Sequence, residues 1–405
     1  MASNQVGNPV VGKDFYGREA FVNLVAEKFK TGHVLLAAPR RFGKTSVMFN
    51  LMDKPRWNYR IVHADLEHFT EPSELITHLI EQIARNDVLV KLLKGLTWLP
   101  QQLWGFLKRH IDEVGLVGVK IKLKEQLRSC WQERGEELFR TLAQSPETII
   151  FFLDEFPMMI DRMARSSTHR EDASTLLRWL RALRQNPETT KVRFLIAGSI
   201  GIDRVLNQLG EIKSINDFET LQLEPFSPKI ASAFLADLAR EHQPPLALSS
   251  PCKRKMLTLI GTPVPYFLQI LFAEIAKTFV QEGEKLTPAY VERIYRDKVL
   301  GSHCKTYFDY YYSRLSDYYD PDTTKAARRI LRELAVEGRL TRDACWQFFK
   351  TIVGNQADLE DFNRVMTDLE NDFYLRFAAD ARQYQFSCSL LRDWWLRHYG
   401  MSSGD

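Results

Sequence analysis

HVLLAAPRRFGKTSVMFNL, residues 33–51, is the stretch on which the fold of this 405-residue chain depends. It starts with an apolar run over 33–37, passes through a turn-forming segment over 38–43, and ends with a helical pattern over 44–51. A buried strand, a tight turn and a helix N-terminus in that order form an anion site, because the free N–H groups of the first helical turn and the helix dipole point at one spot. The stretch therefore predicts a strand–loop–helix unit that holds a phosphate group.

The loop inside this stretch has the Walker A pattern G-x-x-x-x-G-K-[ST], except that Ala38 replaces the first glycine. Gly43 lets the backbone approach the phosphates, Lys44 supplies a point charge for the β and γ phosphates, and the Thr45 hydroxyl ligates Mg²⁺. Alanine is nearly as small as glycine, so we expect the loop to form with somewhat weaker affinity. A chance Gly-Lys-Thr at a helix start is the alternative. The predicted nucleotide-binding residues of the loop are Pro39, Arg40, Arg41, Phe42, Gly43, Lys44, Thr45 and Ser46.

Length and composition narrow the class of protein. At 405 residues the chain is long for one hydrophobic core, so two or three domains are expected. A net charge of +4 is too small to require a nucleic-acid partner. Five scattered cysteines without a CxxC pair indicate a reducing, cytoplasmic compartment, and the nine histidines lack metal-ligand spacing. The polar stretch 1–13 is not a signal peptide, and no apolar run is long enough to predict a membrane span.

Two acids end the most apolar run of the chain, TIIFFLDE at 148–155, which follows a predicted strand at 59–65. A continuous apolar run is typical of a central parallel strand that is buried on both faces. Acids at the carboxyl end of such a strand lie where open α/β sheets bind ligands. This Walker B pattern assigns Asp154 to the Mg²⁺ shell and Glu155 to the general base that orients the attacking water. Two solvated acids at a strand end are the alternative.

Two more catalytic candidates lie further along the chain. The run 192–199 predicts another buried strand, and its last residue, Ser199, is placed to touch the γ phosphate as a sensor 1 residue. A fifth strand is expected over 220–223. Between these two strands, Arg204 is a candidate arginine finger that would act in trans on a neighbour's nucleotide. The sequence gives no geometry for this role.

Three expectations concern the surroundings of the predicted sheet. The alternating segment 117–124 predicts a short amphipathic strand. Three aromatic side chains are expected mainly to pack: Trp98, Trp104 and Phe106. Three arginines share one face of a predicted helix, which we expect to be solvated rather than a subunit contact: Arg178, Arg181 and Arg184.

After the sheet the pattern becomes helical. Residues 229–299 predict a helical lid over the nucleotide, interrupted by Gly261-Thr262-Pro263. The tyrosine-rich segment 307–319 is expected to pack between domains, with its hydroxyl groups at a wet edge. From 324 onward, helices followed by a hairpin and a last helix predict a winged helix.

The third helix of this predicted winged helix, about 358–372, bears on the choice of partner. In a DNA reader this helix enters the major groove. Here it carries six acids and one base, Arg364, so repulsion disfavours binding to a polyanion. Contacts with a protein or autoinhibition are the preferred interpretation, while Arg376 and Arg382 in the wing keep DNA binding open as an alternative.

Taken together, these motifs resemble the archaeal-type P-loop ATPases, which stand near the AAA+ and STAND NTPases. The resemblance covers nearly the whole chain and rests on FYGRE at 15–19, PRR before GKT at 39–45, LDEF at 153–156, Gly198-Ser199, GTP at 261–263 and the segment 386–395. It implies that Gly17 and Arg18 lie by the adenine and that Pro263 in the lid faces the nucleotide. The chain departs from the family pattern at Ala38 and at Phe21, where a second glutamate often follows GRE.

The sequence thus predicts an α/β P-loop NTPase core with a parallel sheet over 1–226, a helical lid over 227–305 and a winged-helix domain over 306–405. We expect it to bind ATP or ADP with Mg²⁺ and to hydrolyse ATP slowly, as a switch that signals to a protein partner or assembles with itself in a defence or regulatory system. A DNA-associated AAA+ ATPase of the origin- or transposition-loader type is the alternative, and a nucleotide-binding module without turnover is a third hypothesis. No membrane partner is expected.

Overall fold

The computed structural model describes residues 4–99, 113–198 and 201–400. For residues 113–119 it describes the backbone alone. The chain forms two compact units. The core unit contains residues 18–38 and 44–223, and the C-terminal unit contains the residues before 18, the loop segment 39–43 and the residues after 223. Among the described residues, no helix combines the length and apolarity that a bilayer crossing needs. The predicted division at 305/306 stays a prediction.

The core unit is built on a five-stranded sheet in the order β2–β3–β4–β1–β5, and every neighbouring pair is parallel. Its strands are β1 His33–Ala37, β2 Tyr59–Asp65, β3 Thr148–Asp154, β4 Val192–Ala197 and β5 Phe218–Gln222. Strand β3 is buried over all but its first residue, which is what its continuous apolar run predicted. The order places β4 between the strand before the phosphate loop and the strand that ends in Asp154. The predicted parallel α/β core is confirmed.

Helices flank this sheet. In chain order they are α1 Glu19–Lys28, α2 Lys44–Asp53, α3 Pro72–Ala84, α4 Val90–Leu93, α5 Glu113–Leu127, α6 Trp131–Ala143, α7 Phe156–Arg165, α8 Arg170–Gln185 and α9 Ile202–Leu209. Helix α3 starts with a capping box, in which Glu71 and Glu74 satisfy each other's backbone N–H groups, and with a proline in its first turn.

The strand predicted over 117–124 is wrong, because this segment belongs to helix α5. Lys120 and Lys124 are four residues apart, so they share a helical face and form ion pairs with carboxylates of α3. Leu123 and Leu127 are also four apart, and both are buried. Leu123 therefore follows a helical spacing with Leu127, whereas Ile121, which the strand pattern placed on the same apolar face, is 53% exposed. The acidic face of α3 favours the helix. Of the aromatics expected to pack, Trp98 is half-buried, and Trp104 and Phe106 lie outside the described residues.

The expectation of a solvated arginine face on α8 is wrong for Arg184. Its side chain is only 1% exposed, and its guanidinium donates two hydrogen bonds of 2.8 Å to the Asp217 carboxylate. It also lies over the ring of Phe218, 4.5 Å from the centroid. Arg178, by contrast, is 65% exposed. The last turn of α8 is therefore held to the segment before β5 by a buried ion pair.

The C-terminal unit contains nine helices in its described part and a small sheet. The helices are α10 Pro228–Glu241, α11 Ser250–Ile260, α12 Pro265–Glu282, α13 Pro288–Ile294, α14 Lys305–Tyr318, α15 Pro321–Glu337, α16 Arg342–Val353, α17 Leu359–Asn371 and α18 Ser389–Tyr399. The strands β6 Leu340–Thr341, β7 Leu375–Ala378 and β8 Gln383–Phe386 pair antiparallel in the order β6–β8–β7. Three helices, a hairpin and a closing helix form the winged-helix architecture expected from the sequence.

Candidate nucleotide site

The phosphate loop connects the end of β1 to the first residue of α2. Gly43 has a φ of 98° and Arg41 a φ of 69°, a left-handed conformation that is uncommon for any residue with a Cβ. The Lys44 ammonium donates a 2.6 Å hydrogen bond to the carbonyl of Ala38. The alanine that replaces the first glycine of the motif therefore contributes its backbone to the site. Lys44 and Ser46 are both buried at the start of α2.

The predicted ligands of Mg²⁺ meet across the sheet. The Thr45 hydroxyl donates a 3.2 Å hydrogen bond to Oδ2 of Asp154, which is only 6% exposed. The N–H of Glu155 donates to the other carboxylate oxygen of Asp154 at 3.1 Å. A hydroxyl and a carboxylate are the hard oxygen ligands that Mg²⁺ prefers. The donor set thus fits the cation that the sequence motifs imply.

Glu155, the predicted general base, follows β3 directly in a strained backbone conformation. It has a left-handed φ of 54° and is the N-cap of α7, directly after β3. A residue with a Cβ pays a conformational cost there, and such strain clusters at functional sites. Its side chain is partly exposed, so a water molecule can reach the carboxylate. Ser199, the predicted sensor, lies outside the described residues.

One polar residue beside Asp154 was missed by the sequence analysis. His63 lies on β2, and its Nε2 atom is 3.7 Å from Oδ2 of Asp154. The ring packs edge-to-face on Phe49 of α2, with centroids 5.4 Å apart. The signal was available in the two seven-residue runs 59–65 and 148–154, which both end in aspartate. When their ends are aligned as parallel neighbours, His63 becomes a diagonal neighbour of Asp154.

The tip of the phosphate loop is packed against the C-terminal unit to which it belongs. Arg41 donates a 2.9 Å hydrogen bond to the carbonyl of Gly7, and its guanidinium lies over the rings of Tyr266 and Tyr310, at 4.8 and 5.9 Å from the centroids. Phe42 is only 3% exposed. Its ring meets Phe373 edge-to-face, with centroids 4.9 Å apart. We call Arg41, Phe42, Tyr266, Tyr310 and Phe373 the loop-tip cluster.

The position of Phe373 in the loop-tip cluster is fixed by the contacts of its two sequence neighbours with α14. It lies between α17 and β7 with a left-handed φ of 68°. The preceding Asp372 forms a buried ion pair with Arg314 of α14 at 3.2 Å. The following Tyr374 donates a 2.7 Å hydrogen bond to the carbonyl of Tyr311 on the same helix. The turn before the wing is therefore anchored on α14 at both sides of Phe373.

The lid turn Gly261-Thr262-Pro263 is bonded to the start of α18. The Thr262 hydroxyl donates a 2.5 Å hydrogen bond to the carbonyl of Ser387, and the Cys388 thiol donates to the carbonyl of Ile260 at 3.1 Å. Gly261 has a φ of 80°, and a Cβ there would lie 2.5 Å from Oγ of Ser389. Only glycine fits this position. The carbonyl of Pro263 accepts a hydrogen bond from the N–H of Phe226.

The remaining predicted site residues lie just before α1 and at the start of the phosphate loop. Gly17 has a φ of 63°, and a Cβ would lie 2.6 Å from a methyl group of Ile230, so glycine is required there too. Arg18 is the N-cap of α1, and Pro39 and Arg40 lead from β1 into the turn at Arg41. The roles of Gly17, Arg18 and Pro263 beside an adenine stay predictions.

Arg204, the candidate arginine finger, points into the core unit. It is 5% exposed and pairs with Asp161 of α7 at 3.4 Å. Arg165 binds the other oxygen of the same carboxylate at 2.9 Å. In this conformation Arg204 is part of a buried ion pair, and a role on a neighbour's nucleotide would require it to leave Asp161.

Comparison with known proteins identifies the fold. No family model matches the chain, and neither does any curated protein sequence. A Walker-type ATPase of Pyrococcus abyssi superposes with a TM-score of 0.60 over 98% of each chain, at 14% sequence identity. The chain shares the fold of this Walker-type ATPase. The ORC2 protein of Aeropyrum pernix, solved in ADPNP–ADP complexes, superposes with a TM-score of 0.51 over 95% of this chain and 94% of its own, at 11% identity. The likeness in fold to these two structures thus extends over nearly the whole chain, from the parallel-sheet core to the winged helix.

Proposed function

We propose that the protein is a Mg²⁺-dependent ATPase that works as a molecular switch and hydrolyses ATP to ADP and phosphate. The observation that carries the proposal is the meeting of Thr45 with Asp154 beside Lys44, at the carboxyl end of a parallel sheet. The likeness to a Walker-type ATPase and to a protein solved with ADPNP and ADP supports the choice of ligand.

Each residue at this site has a task in such a reaction. Thr45 and Asp154 would together hold Mg²⁺. Lys44 would exchange its bond with the Ala38 carbonyl for the β and γ phosphates and neutralise their charge. Glu155 would orient the attacking water and accept its proton as the O–P bond forms. Bound Mg²⁺ would supply charge neutralisation at the phosphate oxygens.

Two substitutions test the chemistry. Lys44→Ala should abolish the heat of Mg·ADP binding in calorimetry, because the lysine charge and its donors are lost. Glu155→Gln should bind Mg·ATP as the parent does and slow single-turnover hydrolysis by about 10²- to 10³-fold. Unchanged hydrolysis by Glu155→Gln would refute its role as the base. Unchanged nucleotide binding by Lys44→Ala would refute the site itself.

The loop-tip cluster supports the proposal of a switch. A ligand shifts a conformational equilibrium only if it binds the two states differently. Arg41 and Phe42 belong to the loop that would enclose the phosphates. Arg41 also contacts Tyr266 of α12 and Tyr310 of α14, and Phe42 contacts Phe373 before the wing. Any change of the loop between ATP and ADP would therefore change contacts that anchor the winged helix. The output would go to a protein partner or to self-assembly.

Hydrogen exchange of the segment around Phe373 tests this coupling. In the parent, Mg·ADP and a non-hydrolysable Mg·ATP analogue should give different amide exchange over residues 372–387. Phe42→Leu keeps an apolar side chain but removes the ring contact, so it should abolish this difference while nucleotide binding persists. Phe377→Leu is the matched control, because Phe377 is an exposed phenylalanine of β7 that lies outside the loop-tip cluster. Equal exchange with both nucleotides in the parent would refute the switch.

A DNA-associated ATPase stays the second candidate, since three of the six acids on the third helix are turned inward. Asp372 pairs with Arg314, Asp368 accepts a hydrogen bond from Tyr319, and Glu370 accepts one from the N–H of Phe377. The helix is therefore less acidic on its outer face than its composition indicates. Stimulation of ATP hydrolysis by duplex DNA would favour this candidate over the protein-directed switch.

A further inference from the structure

We propose that His63 is a ligand of the divalent cation and biases the site towards Mn²⁺ and similar transition ions over Mg²⁺. The inference rests on the proposed ATPase function, because it concerns the cation that accompanies the nucleotide. Three donor atoms from different elements converge there: the hydroxyl of Thr45, the carboxylate of Asp154 and Nε2 of His63.

The imidazole nitrogen lacks a partner of its own. Nε2 is buried and makes no hydrogen bond, and its nearest ionic neighbour is Oδ2 of Asp154 at 3.7 Å, beyond hydrogen-bond distance. A buried polar atom without a partner is costly unless something binds it. The side chain of His63 is 17% exposed, and the Phe49 ring packs against it, so the nitrogen is held in place.

The separation of the two atoms suits a shared cation. Two ligand bonds of about 2.1–2.2 Å that open at about 120° span about 3.7 Å, whereas at the 90° of an octahedral site they span about 3.0–3.1 Å. In the octahedral case His63 and Asp154 would approach each other by about 0.6–0.7 Å. Oδ2 of Asp154 is also the atom that accepts the Thr45 hydrogen bond. A cation at this point would therefore replace that hydrogen bond with two oxygen ligands and gain a nitrogen.

The nitrogen determines the preference among ions. Mg²⁺ is a hard cation that prefers oxygen and keeps its water, whereas imidazole suits the first-row transition ions. A site of two oxygens and one imidazole should therefore bind Mn²⁺ or Co²⁺ more tightly than a site of oxygens alone. Sequence motifs identify Thr45 and Asp154, and neither motif includes His63.

Electron spin-echo spectroscopy of the Mn²⁺·ADP complex gives a readout that does not depend on turnover. The parent should show coupling of Mn²⁺ to a histidine nitrogen, and labelling of histidine with ¹⁵N should change those lines while adenine stays unlabelled. His63→Asn should remove the coupling, because the shorter side chain has no Nε2. His68→Asn, a change at an exposed histidine just after β2, should leave it intact.

Calorimetry separates this inference from the proposed function. We expect the parent to bind Mn·ADP at least tenfold more tightly than Mg·ADP, and His63→Asn to reduce this ratio to about one through weaker Mn·ADP binding alone. Binding of both complexes without nitrogen coupling, or a ratio unchanged by His63→Asn, would overturn the role of His63 and leave the ATPase site standing. Failure of the parent to bind either complex would overturn the proposed function.

Discussion

His33, the first residue of β1, is a buried histidine that stays neutral at neutral pH. Its Nδ1 accepts a 3.1 Å hydrogen bond from the N–H of Phe194. Burial, followed by the nearby charges of Arg184 and Arg193, lowers its pKa to about 3. A protonated ring would lose the acceptor atom and carry a charge among arginines. The parallel pairing of β1 with β4 therefore depends on the deprotonated form.

Stability should fall in acid because of this residue. The pKa is about 6.5 in the unfolded chain and about 3 in the folded one, so the stabilisation is complete above pH 6.5 and is lost as the pH falls towards 3. At pH 5.5 the contribution of His33 to the free energy of unfolding should be about 1 kcal/mol lower than at pH 7.

Urea unfolding of the parent and of His33→Asn at both pH values checks this. Asparagine keeps an acceptor oxygen near the position of Nδ1 but does not titrate, so the variant should lose less stability on acidification. Identical pH dependence in the two proteins would contradict the assignment.

The buried ion pair between Arg204 and Asp161 stabilises the core unit. Arg204→Ala leaves the buried Asp161 with Arg165 alone, so we expect it to lower the free energy of unfolding by about 3 kcal/mol. Urea unfolding measures this loss.

Reduced ATPase activity of the Arg204→Ala variant would then not by itself reveal an arginine finger. The discriminating measurement is the specific activity of the parent, which we expect to be independent of protein concentration. A rise with concentration would support action in trans.

At the scale of elements, helix α5 depends on its ion pairs with α3. Hydrogen bonds from His78 and Lys120 outweigh the effect of burial and lower the pKa of Glu81 to about 2, which shows how strongly α3 favours a cation opposite it. Lys120→Ala with Lys124→Ala should release α5 and increase protease cleavage between 113 and 128 several-fold. Lys122→Ala is the matched control, since its side chain is exposed on the same helix. Equal cleavage of both variants would show that leucine packing alone holds the helix.

The elements also show what a sequence can predict. The bounds of the five strands were predicted to within about two residues. Three of them, β1, β3 and β4, are largely apolar runs, whereas β2 and β5 mix apolar and polar residues. Segment 117–124 failed, because short alternation does not distinguish a strand from a helix when a neighbouring helix supplies the opposite charges. The motif residues Lys44, Thr45 and Asp154 were identifiable because binding of phosphate and Mg²⁺ requires these residue types at the start of a helix and at the end of a strand. The pairing of Phe42 with Phe373 was not, since no local pattern indicates a contact between residues so distant in sequence.

The outer surface of helix α17 bears on whether the chain binds DNA or a protein. The acids that face inward on α17 lie at its C-terminal end, whereas Asp358 and Glu360 stay exposed at its N-terminal turn. DNA-reading helices present their N-terminal residues to the base edges. Leu359, in the same turn, is 55% exposed, an apolar surface that suits a protein. Fewer acids are therefore exposed on α17 than its sequence indicates. The exposed acids Asp358 and Glu360, however, lie at the end of the helix that a DNA reader presents to the bases.

We therefore expect the full chain to bind duplex DNA no more tightly than the micromolar range at physiological salt, measured by fluorescence anisotropy with Mg·ADP and with a Mg·ATP analogue. Removing the two exposed acids, by Asp358→Asn with Glu360→Gln, should tighten that binding, because repulsion at the base-facing end is relieved. The control Asp322→Asn with Glu337→Gln changes the net charge equally at exposed acids of α15 and should have a smaller effect. Sub-micromolar binding by the parent that Arg364→Ala abolishes would contradict the expectation, because it would make α17 a DNA-reading helix and the switch a DNA-directed one.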